Sequence, residues 1–424
     1  MNLISVEEAS AYILKHFHPL EAERVPILDA LDRVLAEDIV ADIDVPPFEN
    51  SAMDGYAVRA EDIASASPQQ PVTLHVIGDV AAGYIAPRAV EPGTAMRIMT
   101  GAPLPPGADT VVRFEETSEG VQARRAETRR DTVDILKAIR RGENVRAAGE
   151  DIHAGEVILP KGTIVRAAEI GVLASLGKKE VSVHRRPRVA ILATGDELVA
   201  IDEPIAPGKI RNSNEYTNAA AVLKAGGIPI RLGIARDNID DLTAKIRAGL
   251  DADADLFLTS AGVSVGDYDM VKDVLNAEGE MQFWQVRMKP GKPLAFGVLR
   301  GNAEHRREVP LIGLPGNPVS AMISFEVFAR PAILTMLGKT RLARPSVRAT
   351  LLEDVENTAN RRNFIRVVVE KREGGYAARM TGEQGSGILT SVARANGLLV
   401  VPEDVTLVRQ GTVVEVQMLD WPEW

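Results

Sequence analysis

The sequence predicts a multidomain α/β protein. It should contain a three-layer α/β/α domain with a mostly parallel sheet, N-terminal mixed α+β domains, and a small C-terminal β-barrel. Three observations carry this expectation. Between residues 188 and 337, short apolar runs that end in glycine-rich or charged loops alternate with segments of helical period, as in a parallel sheet covered by helices. Beyond residue 341 the texture changes to short alternating strands, which fit a small barrel or sandwich, the barrel being the expected form. The length of 424 residues exceeds one typical domain.

Composition narrows the functional classes. Hydrophobic residues make up 45% and charged residues 25%, enough for a sizeable core. Cysteine is absent, which excludes a disulfide framework, a thiolate metal centre and a cysteine nucleophile. The six histidines show no H-x₃-H-like pairing, so zinc is not expected. A net charge of −10 opposes general nucleic-acid binding. An anionic ligand would therefore need locally gathered cations. Arg287, Lys289 and Lys292 lie close together, and Arg211 and Arg146 sit beside polar loops. The first residues, M-N-L-I-S-V-E-E, lack a basic segment followed by an apolar core, and no run of about 18 apolar residues occurs. A cytoplasmic protein that does not bind membranes is expected.

The elements follow in order. Ser5-Val-Glu-Glu8 is a capping box opening a helix to about residue 16, and a second helix is expected over 27–35. D-V-P-P-F-E-N-S-A-M-D-G-Y-A-V (44–58) reads as a rigid exposed loop presenting Asp54 and Tyr56. Short strands over 72–112 suggest a small β-domain, with Thr100-Gly101 on a presented loop. Residues 115–142 suit a loop and an edge strand. Arg146 and Asp151 flank a glycine turn, either as solvated charges or as site residues. A helix is expected over 167–176. The expected domains are 1–26 with 147–182, an inserted 27–146, the α/β/α domain 183–337 and the barrel 338–424.

Within 183–337 the expected strands are 189–193, 228–234, 256–258, 282–288 and 311–314. The expected helices are 214–225, 240–250, 271–277 and a long 319–337, interrupted at Pro331. In such sheets ligands bind beyond the carboxyl ends of the strands. T-G-D-E-L (194–198), Arg236-Asp237, T-S-A-G-V-S-V-G-D (259–267) and L-P-G-N-P (314–318) all leave such ends, and should share one edge. The glycine-rich loop at Gly262 and Gly266 suits an anion, and Asp267 and Asp269 beyond it suit a hard cation such as Mg²⁺.

These motifs together resemble the MoeA-like molybdopterin molybdotransferases, which include the E domain of gephyrin. The resemblance spans nearly the whole chain. It rests on P-P-F-E-N-S-A-M-D-G-Y-A-V, R-I-M-T-G-A-P, E-N-V-R-A-A-G-E-D, T-G-D-E-L, I-R-N-S-N, S-A-G-V-S-V-G-D, M-K-P-G-K-P and L-P-G-N-P-V-S-A, in that order. Ala261 stands where the family usually has a second glycine.

The resemblance implies insertion of molybdate into adenylylated molybdopterin, with Mg²⁺-dependent release of AMP. It places Mg²⁺ on Asp237 and Asp269, with Ser264 and Glu197 nearby in the catalytic group. Lys289 and Lys292 would hold anionic oxygens. Arg366, Ser320 and Ser391 match molybdate contacts, and Ser386 joins them as a substrate-binding residue. Asp54 and Asp151 join the catalytic group and Thr100 and Arg146 the substrate-binding residues; all four match residues near a cleft formed between two subunits, implying a homodimer. A molybdopterin adenylyltransferase and downstream cofactor-maturation proteins are the implied partners. Two alternatives stand beside this reading: an adenylyltransferase on the same kind of sheet, and a non-catalytic scaffold. The converging carboxylates and lysines favour the enzyme.

Overall fold

The computed structural model describes residues 3–120, 131–236, 238–260, 274, 277–300, 308–358 and 360–421. The chain divides into two compact units. One comprises Met1–Arg24, Asp32–Ala36 and Ser182–Trp424, and the other Val25–Leu31 and Glu37–Val181.

In the first unit, β-branched and leucine-rich runs form a seven-stranded sheet. Its order is Leu3–Ile4, Gly279–Val286, Pro293–Leu299, Val309–Leu314, Leu256–Ser260, Arg188–Thr194, Ile228–Ala235. The last four strands are mutually parallel, and Pro293–Leu299 runs antiparallel to both of its neighbours. Residues 189–194 and Leu256–Ser260 are buried along their whole length, as expected of strands covered on both faces. Each fully buried leucine or isoleucine here contributes roughly 1.5–3 kcal/mol.

The helices begin at polar caps. Ser5 and Glu8 form the capping box of Val6–Leu14, Asn212 caps Ser213–Ala225, and Asn238 caps Ile239–Asp251. The expected 319–337 helix runs as α (Pro318–Ser324), π (Phe325–Ala329) and α (Arg330–Met336). Pro331 therefore does not break it. Lacking an N–H, Pro331 is accommodated directly after a widened turn in which Arg330 N donates to Phe325 O. By length and composition this stretch could cross a membrane. It is instead a core helix, with Phe325, Phe328, Ala329 and Ile333 at 1% exposure or less.

The N-terminus provides a difference from the sequence expectation. Residues 1–26 were expected beside 147–182. Leu3–Ile4 instead lies parallel to Gln285 and Val286, with Arg287 N donating to Ile4 O at 2.9 Å, and Ala9 and Ile13 enter the core of the α/β sheet. The 282–288 strand also starts earlier, at Gly279, and ends at Val286, where the K-P-G-K turn leads into the antiparallel strand Pro293–Leu299.

The C-terminal strands close into a five-stranded barrel. Arg362–Arg372 pairs with Gly375–Met380, then come Ser346–Leu351, Val413–Met418 and Gly397–Val401, which pairs back with Arg362–Arg372. Alternation along Arg362–Arg372 sends Ile365, Val367 and Val369 into the barrel core. Phe364, one residue out of phase, packs with the core of the α/β sheet. Arg366 shares the parity of Phe364.

The second unit is built on a five-stranded sheet of order Thr110–Arg113, Gly55–Val58, Thr94–Ile98, Val72–Val80, Thr132–Ile135. Two expectations need correction. The 27–35 helix is one 3-10 turn, Ile27–Ala30: Leu31 is extended, Asp32 takes φ 62°, and Leu28 and Leu31 are exposed, so no apolar face drives a longer helix. The D-G-Y segment is also not a wholly presented loop. Gly55–Val58 is a buried central strand, and Tyr56 is 2% exposed, edge-on to Phe114, with its hydroxyl donating to Glu119 at 2.6 Å. Gly55 is required because a Cβ there would lie 1.9 Å from Val112 O on the neighbouring strand.

Candidate functional site

Strand order in the parallel sheet reverses between Arg188–Thr194 and Leu256–Ser260, since the strands next in sequence depart to opposite sides. In open α/β sheets that reversal opens the ligand crevice. The pairings Thr194↔Ala235, Ala193↔Ser260 and Ser260↔Leu314 bring four carboxyl ends level on this edge. The loops expected to converge thus leave from one line. Asp237, Ser264 and Asp269, with residues 261–273 and so most of the expected 271–277 helix, lie outside the described residues.

The T-G-D-E-L loop turns back over its own glycine. Gly195 takes φ 138°, and a Cβ there would sit 2.3 Å from Glu197 Oε2, so the exposed Glu197 carboxylate rests where a side chain would otherwise be. Leu198–Val199 then pairs with Ile210–Arg211, leading into the Asn212 cap. Asn214, one residue into that helix, donates to Gly316 O at 2.7 Å and ties I-R-N-S-N to the P-G-N-P loop. Its part as a clasp becomes visible only when the two loops are seen adjacent.

Beyond P-G-N-P, Ser320 is buried in the first turn of its helix, and Val319 N donates to Ser386 O at 3.1 Å. That bond brings the polar loop at 385–388, which gives way to the short helix Leu389–Ala393 and does not run on to residue 391 as expected, against the helix start. Arg366 is fully buried beside the same loop. Its Nε donates to Ser391 Oγ at 3.2 Å, and its other guanidinium nitrogens donate to the carbonyls of Phe364 and Gly385, each at 3.3 Å. Among the described residues no carboxylate meets it. Burial alone pulls this guanidinium down to about 10. Gln384, which the sequence reading missed, clamps the strand by accepting from Arg366 N at 2.9 Å and donating to Arg366 O at 3.2 Å. Nothing local in the sequence marks this glutamine.

Met288–Lys289 lies parallel to Arg362–Asn363, so Lys289 enters the neighbourhood of the Arg366 strand. Lys289 is exposed and donates to Thr358 Oγ1 at 3.3 Å. Lys292 is half-buried, and among the described residues its ammonium has no side-chain partner. Arg366 with the Ser391 hydroxyl bonded to it, Ser320 on the adjoining helix and Lys289 on the strand paired with Arg362–Asn363 bring cationic and hydroxyl donors suited to a small oxyanion.

In the second unit, Asp54 accepts from both the backbone N and the Oγ1 of Thr100, each at 2.8 Å, joining two motifs that the sequence separates. Arg146 is exposed and pairs in register with Asn50 on the same N-S-A-M-D segment. Asp151 is exposed, and its N–H donates to Val45 O at 3.0 Å. Among the described residues no cluster of three histidines or carboxylates forms a metal site.

Comparison with known proteins agrees with this arrangement along the chain. Residues 4–177 match the MoeA N-terminal region (domain I and II), 190–335 a probable molybdopterin binding domain, and 348–419 the MoeA C-terminal region (domain IV). The chain belongs to the MoeA family. Molybdopterin molybdenumtransferase 2 of Mycobacterium tuberculosis is 39% identical over 421 residues, covering 97% of this chain and 98% of that protein. The molybdopterin molybdenumtransferase of Bacillus subtilis is 35% identical over 426 residues, covering 99% and 96%. The crystal structure of a molybdopterin biosynthesis MoeA protein from Pyrococcus horikoshii aligns with TM-score 0.79 at 32% identity, covering 98% of this chain and all of that one. The α/β sheet, its N-terminal region and the closed C-terminal barrel thus belong to a MoeA fold.

Proposed function

We propose that this MoeA protein is a molybdopterin molybdenumtransferase of molybdenum cofactor biosynthesis. It takes adenylylated molybdopterin and molybdate, inserts the metal into the pterin dithiolene and releases AMP in a Mg²⁺-dependent step. The observation that carries this reading is Arg366: a buried guanidinium that meets no carboxylate among the described residues, hydrogen-bonded to Ser391, beside the helix bearing Ser320. A tetrahedral oxyanion such as molybdate supplies the missing charge. Lys289 and Lys292 bring further positive charge to an otherwise acidic protein.

The pterin binds beyond the carboxyl edge of the parallel strands. The donors on that edge are carboxylate oxygens, with Glu197 folded over Gly195, and these hard ligands fit Mg²⁺. Asp237 and Asp269 would hold the ion, which offsets phosphate charge when bound. Ser264 and Glu197 orient the phosphate end. Asp54, Thr100, Arg146 and Asp151 belong to the cleft that a homodimer forms. The protein acts in the cytoplasm and receives its substrate from a molybdopterin adenylyltransferase.

The test is AMP release from adenylylated molybdopterin with Mg²⁺, with and without molybdate. Molybdate-dependent release is expected. ATP consumption with adenylylation of the pterin would instead identify an adenylyltransferase, and bound pterin without turnover would identify a scaffold or carrier.

A further inference from the structure

A cavity of about 620 Å³ lies in the first unit between the Ser213–Ala225 helix, the Pro318–Met336 helical stretch and the segment at Leu419-Asp420. It is separate from the Arg366 site: Val392 and Ala393 line it, while Ser391 of the same short helix faces Arg366. Its size falls in the range of small-molecule sites.

Three features mark it as more than a packing gap. Asn218 lines it at 1% exposure, and neither its amide oxygen nor its amide nitrogen has a hydrogen-bond partner among the described residues. Buried amides are nearly always satisfied, so this one points to a missing partner. The charged lining is unbalanced, with four cations, Lys224, Arg330, Lys339 and Arg344, against two carboxylates, Glu326 and Asp420. Arg330 and Arg344 share Glu326, and Lys224 pairs with Asp420, whereas Lys339 has no side-chain partner among the described residues. Finally, the π turn at Phe325–Ala329 lies on the wall and carries Glu326; such turns recur at functional sites. The rest of the wall is apolar, including Met322, Ile323 and Leu334.

We propose that this cavity binds a small organic anion with an apolar body, the Asn218 amide and the uncompensated positive charge meeting its anionic group and the aliphatic wall its body. The probe is 8-anilinonaphthalene-1-sulfonate, with N-phenyl-1-naphthylamine as the counterpart lacking the sulfonate. Fluorescence titration of the full chain should show one saturable sulfonate site and weaker binding of the amine. Ala221→Trp, which fills the cavity from a half-buried position, should abolish the site. Lys339→Gln, at a partly exposed position that does not threaten folding, should weaken the sulfonate roughly three- to fivefold and leave the amine unchanged. Absence of saturable sulfonate binding, as for a cavity that holds only water, would overturn the proposal. So would an unchanged site in Ala221→Trp with unaltered near-ultraviolet circular dichroism, or equal affinity for the two probes.

Discussion

Arg366 Nε donates to Ser391 Oγ across 3.2 Å, joining a barrel strand to the short Leu389–Ala393 helix, and among the described residues no carboxylate lies beside the buried guanidinium. Such a charge costs stability unless something else gains from it.

Replacing it by a similar-sized apolar residue separates the two roles. Arg366→Met should leave the midpoint of thermal unfolding unchanged or raised, because a buried cation disappears, while molybdate-dependent AMP release falls by about 100-fold. A lowered midpoint with retained turnover would assign Arg366 to structure alone.

Gly195→Ala tests the carboxyl edge. The added Cβ collides with the Glu197 carboxylate at a φ that side chains rarely adopt, so about 1–3 kcal/mol of stability should be lost. The displaced Glu197 should also shift the Mg²⁺ titration of AMP release to higher concentration. An unshifted titration would remove Glu197 from the cation's surroundings.

Asp255 is 2% exposed and takes both terminal nitrogens of Arg185, at 2.6 and 2.7 Å, as well as Arg188 N at 2.8 Å. Arg185→Ala strips this carboxylate of its guanidinium and should cost about 3 kcal/mol in urea denaturation. Arg185→Lys should recover only part of that, since an ammonium does not reproduce the two-pronged contact.

The Arg166 guanidinium, hydrogen-bonded to Glu169, holds that carboxyl at about 2, against 4.5 when free. A depressed carboxyl stabilises fully above the free value and loses its contribution as pH falls from 4.5 toward 2. Arg166 is largely exposed, so solvent screens the pair and keeps the effect small. Denaturation midpoints of wild type and Glu169→Gln should differ at pH 7 and converge by pH 2. A constant gap would trace the effect to neutral hydrogen bonding.

Much of the fold was legible because its signals are local. The Ser5–Glu8 capping box, the apolar runs at 188–194 and 256–260 and the alternation in Arg362–Arg372 each state their element within a few residues. The level strand ends follow from those runs, because parallel strands joined by right-handed crossovers must end on one edge. The misreadings arose where partners are remote. Tyr56 reads as presented until Phe114 and Glu119 enclose it, and Leu3–Ile4 is too short to announce a strand without Gln285 and Val286 beside it.

Sequence by itself determined the fold class, the family and the residue types gathered in the motifs, since periodicity, caps and glycine turns are written in neighbouring residues. Tertiary structure alone decided that Arg366 is buried against Ser391, that Gln384 braces it, that Asn214 holds Gly316 and that Thr100 binds Asp54. Those are contacts between residues up to 102 positions apart. Burial and pairing of that kind depend on which surfaces meet after collapse, and no local pattern encodes them.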